Sequence, residues 1–203
     1  TNSKYIVDEK DGKVTISNNE ELKCTYDVKN LDIKQNKIKK ITSTDTIEVK
    51  INLILVLDVS GSMSSNSRLS NLKIVSKEMV KKLNLENSTV SIITFDSSAS
   101  TILSYSNNQS SIDSAINSLS ASGGTSFLSA IGQTASFLQT SVNDKDNYVI
   151  FLSDGDSADT PRSADVDYVK NKAKVYTIGI GGAVSSQLIP LATSRDNYYS
   201  YDD

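Results

Sequence analysis

Asp58, Ser60 and Ser62 set one carboxylate and two hydroxyls at alternate positions within the stretch NLILVLDVSGSMS, Asn52 to Ser64. Oxygen side chains two apart converge on one point when the loop that carries them curls, and Gly61 offers the backbone freedom for that curl. A carboxylate with two neutral hydroxyls is an all-oxygen, under-charged nest, the donor type that hard divalent cations accept. Such a nest is short of ligands, so other parts of the chain are expected to supply more. The nest follows an unbroken apolar run, Leu53 to Leu57, whose length and branched side chains read as a strand buried on both faces.

Asp-x-Ser-x-Ser after a hydrophobic strand resembles the metal-ion-dependent adhesion site (MIDAS) of von Willebrand factor type A domains. The resemblance implies two further ligand positions, a Thr in a glycine-bearing loop and an Asp after a later strand. Gly123-Gly124-Thr125-Ser126 and Val149-Ile150-Phe151-Leu152-Ser153-Asp154-Gly155 match them in order. The implied ligand set is Asp58, Ser60, Ser62, Thr125 and Asp154, with the carboxylates binding directly or through water. The implied ion is Mg²⁺, with Mn²⁺ or Ca²⁺ as alternatives, and one coordination position is left for a partner's Asp or Glu. Taken singly, Ser60 or Ser62 reads as a helix N-cap, Thr125 as a cap for the helix that follows, and Asp154 as a turn residue. The joint occurrence of all five favours the metal.

The elements that must position these groups can be read from periodicity. Arg68 to Leu85 is helical by pattern, with Leu69, Leu72, Val75, Met79, Val80 and Leu83 on one face. Its N-terminus lies just beyond the Asp-x-Ser-x-Ser loop, where unpaired N–H groups lend positive potential. Val90 to Phe95 reads as a strand and Thr101 to Leu103 as a short edge strand. Gln109 to Leu119 and Ser126 to Leu138 read as helices, Tyr148 to Leu152 as a second buried strand. A helix over Ala164 to Ala173, a strand over Lys174 to Ile180, a short helix over Ser185 to Thr193 and a strand over Tyr198 to Tyr201 complete the pattern. Strands alternating with helices predict an α/β doubly wound, mostly parallel sheet, with ligands bound beyond the carboxyl ends of its strands. Asp96 lies near these loops and is expected in a solvated turn; Asp156 and Asp159 are expected either to support the ligands from behind or to form an acidic rim, and not to bind the metal directly. Gly179-Ile180-Gly181-Gly182 lacks the third glycine of a dinucleotide fingerprint, since position 184 is Val.

The match to the family begins near Glu48, so the domain reading is a β-rich segment over 1–45 and a type A domain over 46–203. Tyr5 to Val7, Lys13 to Ile16 and Leu22 to Val28 alternate with period two, and Asp11-Gly12 is a hairpin signal. Leu31 to Ile41 alternates less regularly. In bacterial adhesins that this arrangement resembles, the A domain interrupts a β-domain. Family members usually carry one more helix after the last strand, and the pattern shows none before Asp203.

Bulk properties narrow the function. A net charge of -3 and a pI near 5.1 argue against a nucleic-acid surface, and the basic run Lys34 to Lys40 reads as a solvated strand face. No apolar run has the length of a transmembrane helix, and no signal peptide stands at Thr1. A start without Met points to a fragment of a longer protein. Cys24 is the single cysteine and there is no histidine, which removes disulfides, Cys/His zinc sites and the usual base of a serine hydrolase. A Ser–Lys pair would need a rim lysine, and Lys73 falls inside the helical pattern. Low Cys with high Lys, Asn and Ser resembles a Gram-positive exported protein. The leading expectation is a non-enzymatic adhesion module of the cell surface, cell wall or a pilus, whose partner presents an acidic side chain, host extracellular matrix among the candidates. The alternative is an intracellular A-domain subunit of a chelatase-like or ATPase-coupled complex.

Overall fold

The computed structural model describes residues 6–10, 13–18, 21–27, 50–140, 145–181 and 185–201, and for the segments before residue 50 the backbone alone. Contacts divide the chain into two units, Thr1–Thr46 and Ile47–Asp203. In the first, β1 (Ile6–Lys10), β2 (Lys13–Asn18) and β3 (Glu21–Asp27) form an antiparallel sheet in sequential order. Lys10 pairs with Lys13, which is the register of a two-residue hairpin. The expected turn at Asp11-Gly12, the run Leu31 to Ile41 and the basic run Lys34 to Lys40 lie outside the described residues.

The second unit is built on β4 (Ile51–Asp58), the Leu53–Leu57 run of the sequence. Side chains alternate across a strand, so Leu53, Leu55 and Leu57 enter one core while Ile54 and Val56 enter the other. Burying each such side chain stabilises the fold by about 1.5–3 kcal/mol, which no one-faced strand could match per residue. The remaining strands are β5 (Thr89–Phe95), β6 (Ala99–Ser106), β7 (Asp146–Ser153), β8 (Lys174–Ile180) and β9 (Tyr198–Tyr201). Their order is β6-β5-β4-β7-β8-β9, parallel throughout except for the antiparallel edge strand β6. The chain leaves β4 to one side for β5 and β6, then returns to the other for β7 to β9. The order therefore reverses at β4, and a crevice opens beyond its carboxyl end.

Helices α1 (Arg68–Lys81) and α2 (Gln109–Asn117) cover one face. Helices α3 (Phe127–Gln139), α4 (Ser163–Lys172) and the single turn α5 (Ser185–Leu188) cover the other. Some details depart from the periodicity: the edge strand read as Thr101 to Leu103 runs over Ala99–Ser106, and the helix read as Ser185 to Thr193 is α-helical only over Ser185–Leu188. The helix expected to reach Leu85 stops at Lys81: the Lys82 and Leu83 N–H groups bond Met79 O and Val80 O in a tighter turn, and the Asn84 side chain then accepts the Glu86 N–H. Val75, expected on the buried face, is 42% exposed, while Ser76 is fully buried. The inward stripe runs through Leu72, Ser76 and Val80 at four-residue spacing, and Val75 sits on its flank.

On the α3 face, Phe95, Phe127 and Phe151 form an aromatic trio. Their centroids lie 5.0 to 5.9 Å apart, with Phe127 edge-on to the other two. Such pairs contribute about 0.5–1.5 kcal/mol each beyond area burial. Phe127 is the first residue of α3, so the trio fixes the loop before it against β5 and β7. That loop contains Thr125.

Candidate metal centre

Asp58 ends β4, and the register places Ser153, the last residue of β7, beside it. The Ser153 hydroxyl donates to Asp58 Oδ2 at 2.5 Å, and the Ser60 N–H donates to Oδ1 at 2.8 Å. After Ser60 the chain tightens into a 3-10 turn, Gly61–Ser64, held down by the fully buried Met63. This tightening brings Ser60 Oγ and Ser62 Oγ within 3.0 Å of each other. Ser60 precedes the turn but makes no side-chain capping bond. Its hydroxyl is thus spent across the loop and not on the helix end.

Gly61 is required for a different reason from the one its place in a curl suggests. Its N–H donates to Gly123 O at 3.0 Å, and a Cβ there would lie 3.2 Å from that same oxygen. The glycine permits close approach of two loops; its φ is not in the left-handed region. Gly123 is the residue with the unusual backbone, at φ +75°. Its carbonyl then faces the Asp-x-Ser-x-Ser loop, and the Gly124 N–H donates to Ser97 Oγ at 2.8 Å. Ser126, not Thr125, caps α3 by accepting the Ser129 N–H at 3.1 Å. A Cβ placed on Gly155 would lie 3.3 Å from Thr125 Oγ1 and 3.6 Å from Asp58 Oδ2, so these two oxygens flank one piece of backbone.

Asp154 stands one residue past β7. Its Oδ1 accepts the Ser62 hydroxyl at 2.8 Å, and its Oδ2 accepts Arg68 Nη1 at 2.8 Å. Asp58, Ser60, Ser62 and Asp154 are therefore linked by hydrogen bonds beyond the carboxyl end of β4, and Thr125 approaches them across Gly155. Asp58 and Ser60 are the buried floor of this group, and Ser62 and Thr125 its solvent-facing mouth.

The donor set fits a hard divalent cation. All side-chain donors are oxygens, and just two of them are carboxylates. Burial pushes the Asp58 carboxyl above its ordinary value; hydrogen bonds from Ser153 and Ser60 pull it down, and the nearby Asp154 charge adds to the rise. The net upward shift means that neutral donors do not offset the desolvation of this carboxylate. A cation in the crevice would supply the missing compensation. Among the described residues no cluster of three or more His, Cys, Asp or Glu side chains gathers anywhere.

Several residues shape the site beyond the role that the sequence suggests for them. Asp159, expected as acidic rim, accepts Ser126 Oγ at 2.5 Å, the Leu128 N–H at 2.9 Å and Ser157 Oγ at 2.8 Å. It thereby ties the start of α3 to the loop after β7. Burial opposes its charge, but these donors and the Phe127 N–H together hold its carboxyl below the ordinary value. Asp156 accepts Gln187 Nε2 at 2.6 Å. Asp96 closes its own turn through the Ser98 N–H, and its carbonyl accepts the Ser126 N–H. Arg68 had a signal. A cation in the first turn of a helix opposes the macrodipole, and α1 has no acidic residue there.

The von Willebrand factor type A domain model matches residues 53–157, just over half of the chain, and the chain belongs to that family. A search of curated proteins finds no match. Among solved structures, the vWF domain of the type V pili tip protein Mfa5 from Porphyromonas gingivalis superposes with a TM-score of 0.66 at 12% identity, over 76% of this chain and 90% of that one. BatB from Bacteroides thetaiotaomicron gives a TM-score of 0.65 at 20% identity, over 75% and 91%. Proximal thread matrix protein 1 from the mussel byssus, in a form with a zinc-occupied MIDAS motif, gives 0.66 at 20% identity. That match covers 75% of this chain and 41% of the mussel protein, so the chain spans about two fifths of that relative. At these identities the likeness is one of fold.

Proposed function

We propose that the chain is a metal-dependent protein-binding module of the adhesion kind. Asp58, Ser60, Ser62, Thr125 and Asp154 would hold a divalent cation, Mg²⁺ first and Mn²⁺ or Ca²⁺ as substitutes. When bound, the ion supplies an electrophilic centre with a position for an Asp or Glu of a partner protein. The observation that carries this reading is Asp58: a buried carboxylate whose hydrogen-bond donors are neutral, at the floor of a crevice that opens to solvent. Ser60 and Ser62 are read as holding groups and not nucleophiles. Their hydroxyls meet each other and Asp154, and Lys73 is turned toward Asn117 O at 2.8 Å. A place on a bacterial surface, in a wall-anchored or pilus protein, is supported by the pilus-tip relative and by an exported, Gram-positive style of composition. Host extracellular matrix is the first partner class to screen.

Calorimetric titration of the chelator-treated chain with Mg²⁺ and Mn²⁺ tests the reading. It expects one saturable site per chain, abolished in Asp58→Asn and weakened in Thr125→Ala. An intact, folded chain that takes up neither ion would sink it.

A further inference from the structure

Arg68 is the first residue of α1, and two consecutive residues in the left-handed region deliver it there, Asn66 at φ 50° and Ser67 at φ 59°. Neither is glycine, and backbone of this kind persists only where its surroundings over-determine it. The Ser67 side chain makes no capping bond, so the turn is not there to cap the helix. What the turn achieves is to aim a guanidinium over the rim. Nη1 pairs with Asp154 Oδ2 at 2.8 Å, and Nη2 donates to Gly181 O, beyond β8, at 3.0 Å. The Arg68 side chain is 16% exposed and that of Asp154 is fully buried. This cation occupies one oxygen of a carboxylate whose other oxygen faces Ser62.

We propose that Arg68 is the built-in counter-cation of the metal rim, a positioning residue that lowers the site's affinity for the ion and raises the ion's appetite for an outside carboxylate. The inference rests on the metal-binding reading above. Arg68 neutralises Asp154 and leaves only Oδ1 turned toward Ser62. It thereby sets Asp154 in place before any ion arrives and reduces the negative charge the protein can give to one. A cation sharing less protein charge is left with more attraction for a partner's carboxylate. Asp58 is left as the one carboxylate in the cluster without a protein cation on it among the contacts described.

Mn²⁺ affinity, measured by calorimetry on the whole chain, tests this in Arg68→Met, Arg68→Gln and Arg68→Lys. Arg68 Nη1 and a dication would share one carboxylate, and like charges a few ångströms apart repel, so removing the guanidinium charge favours the ion. Arg68→Met and Arg68→Gln are therefore expected to bind Mn²⁺ about tenfold more tightly or better. Arg68→Lys, which keeps the charge, should stay near the wild-type value. A merely structural arginine predicts the reverse order, since loosening Asp154 would weaken binding in all three. Should the methionine variant fail to fold, the glutamine variant retains a hydrogen-bond donor and carries the same expectation. Equal or weaker Mn²⁺ binding by the folded neutral variants overturns the role of Arg68 while leaving the metal site standing. Silence toward Mn²⁺ in the wild type and every variant overturns both.

Discussion

Asp58 and Asp154 close adjacent strands of one sheet and face the same crevice, yet the fold treats them in opposite ways. Asp58 is sunk into the floor, where the Ser153 hydroxyl and the Ser60 N–H are its donors and burial pushes its carboxyl up. Asp154 is just as enclosed, but a guanidinium held by α1 and by the carbonyl beyond β8 sits on one of its oxygens. The first carboxylate is an unmet electrostatic demand; the second is already met. A site built this way has one strong attachment point for a cation and one weak one. Two equally bare carboxylates would bind the ion more tightly and leave it less reactive toward anything else.

The widest separation between the two should appear when each is made neutral in the chelator-treated protein. Asp154→Asn leaves Arg68 facing a neutral amide in an enclosed setting, and is expected to cost about 3 kcal/mol in urea denaturation. Asp58→Asn removes a charge that burial disfavours, and Ser153 can rotate to accept from the new amide. It should leave stability unchanged or raise it. A matching loss in both variants would break the comparison. A smaller effect is expected from Gly123→Ala. It forces a side chain into left-handed backbone, 3.3 Å from the Asp96 carboxyl and Ser97 Oγ, at a cost of about 1–2 kcal/mol. Because Gly123 O receives the Gly61 N–H, this variant should also weaken Mn²⁺ binding, whereas the ordinary-backbone site of Gly132, with open space around its Cβ, should accept Ala with no loss.

The smallest effect concerns Asp159, which behaves as a third kind of carboxylate: partly buried but fully engaged by hydrogen-bond donors. Its folded carboxyl lies below the ordinary value, so the folded state binds its proton less readily than the unfolded chain. Its contribution is therefore complete above the ordinary carboxylate value and is lost as pH falls through the lower folded one. Asp159→Asn should lower stability at neutral pH by about 1 kcal/mol, as loss of a helix-capping group does. The difference from wild type should shrink as the buffer is acidified. A thermal melt series from neutral to strongly acidic pH reads this directly, and a gap that widens with acid would contradict it.

Much of this molecule was legible in its sequence because the demands there are local. Leu53 to Leu57 reads as a two-faced strand, since five consecutive apolar, largely branched side chains before an abrupt polar stop are too few for a buried helix. The alternation of such strands with amphipathic helices set the sheet class, and Lys174–Ile180 emerged with the bounds its pattern implied. Asp58, Ser60 and Ser62 stood out as oxygen donors two apart after a buried strand, the family resemblance implied Thr125 and Asp154, and a parallel sheet brings its strand ends to one rim. What periodicity could not carry were the pairings across that rim. Arg68 and Asp154 lie 86 residues apart in sequence, Asp58 and Ser153 lie 95, and Ser126 and Asp159 lie 33. Each of these contacts depends on strand order and register, which set β7 next to β4 so that Ser153 meets the Asp58 carboxylate. The chain by itself determined which residues could bind a cation and what elements would hold them. Only the tertiary structure decided that one carboxylate would have no cationic partner among the described residues and the other an arginine, because charge compensation in an enclosed site is a property of neighbours in space.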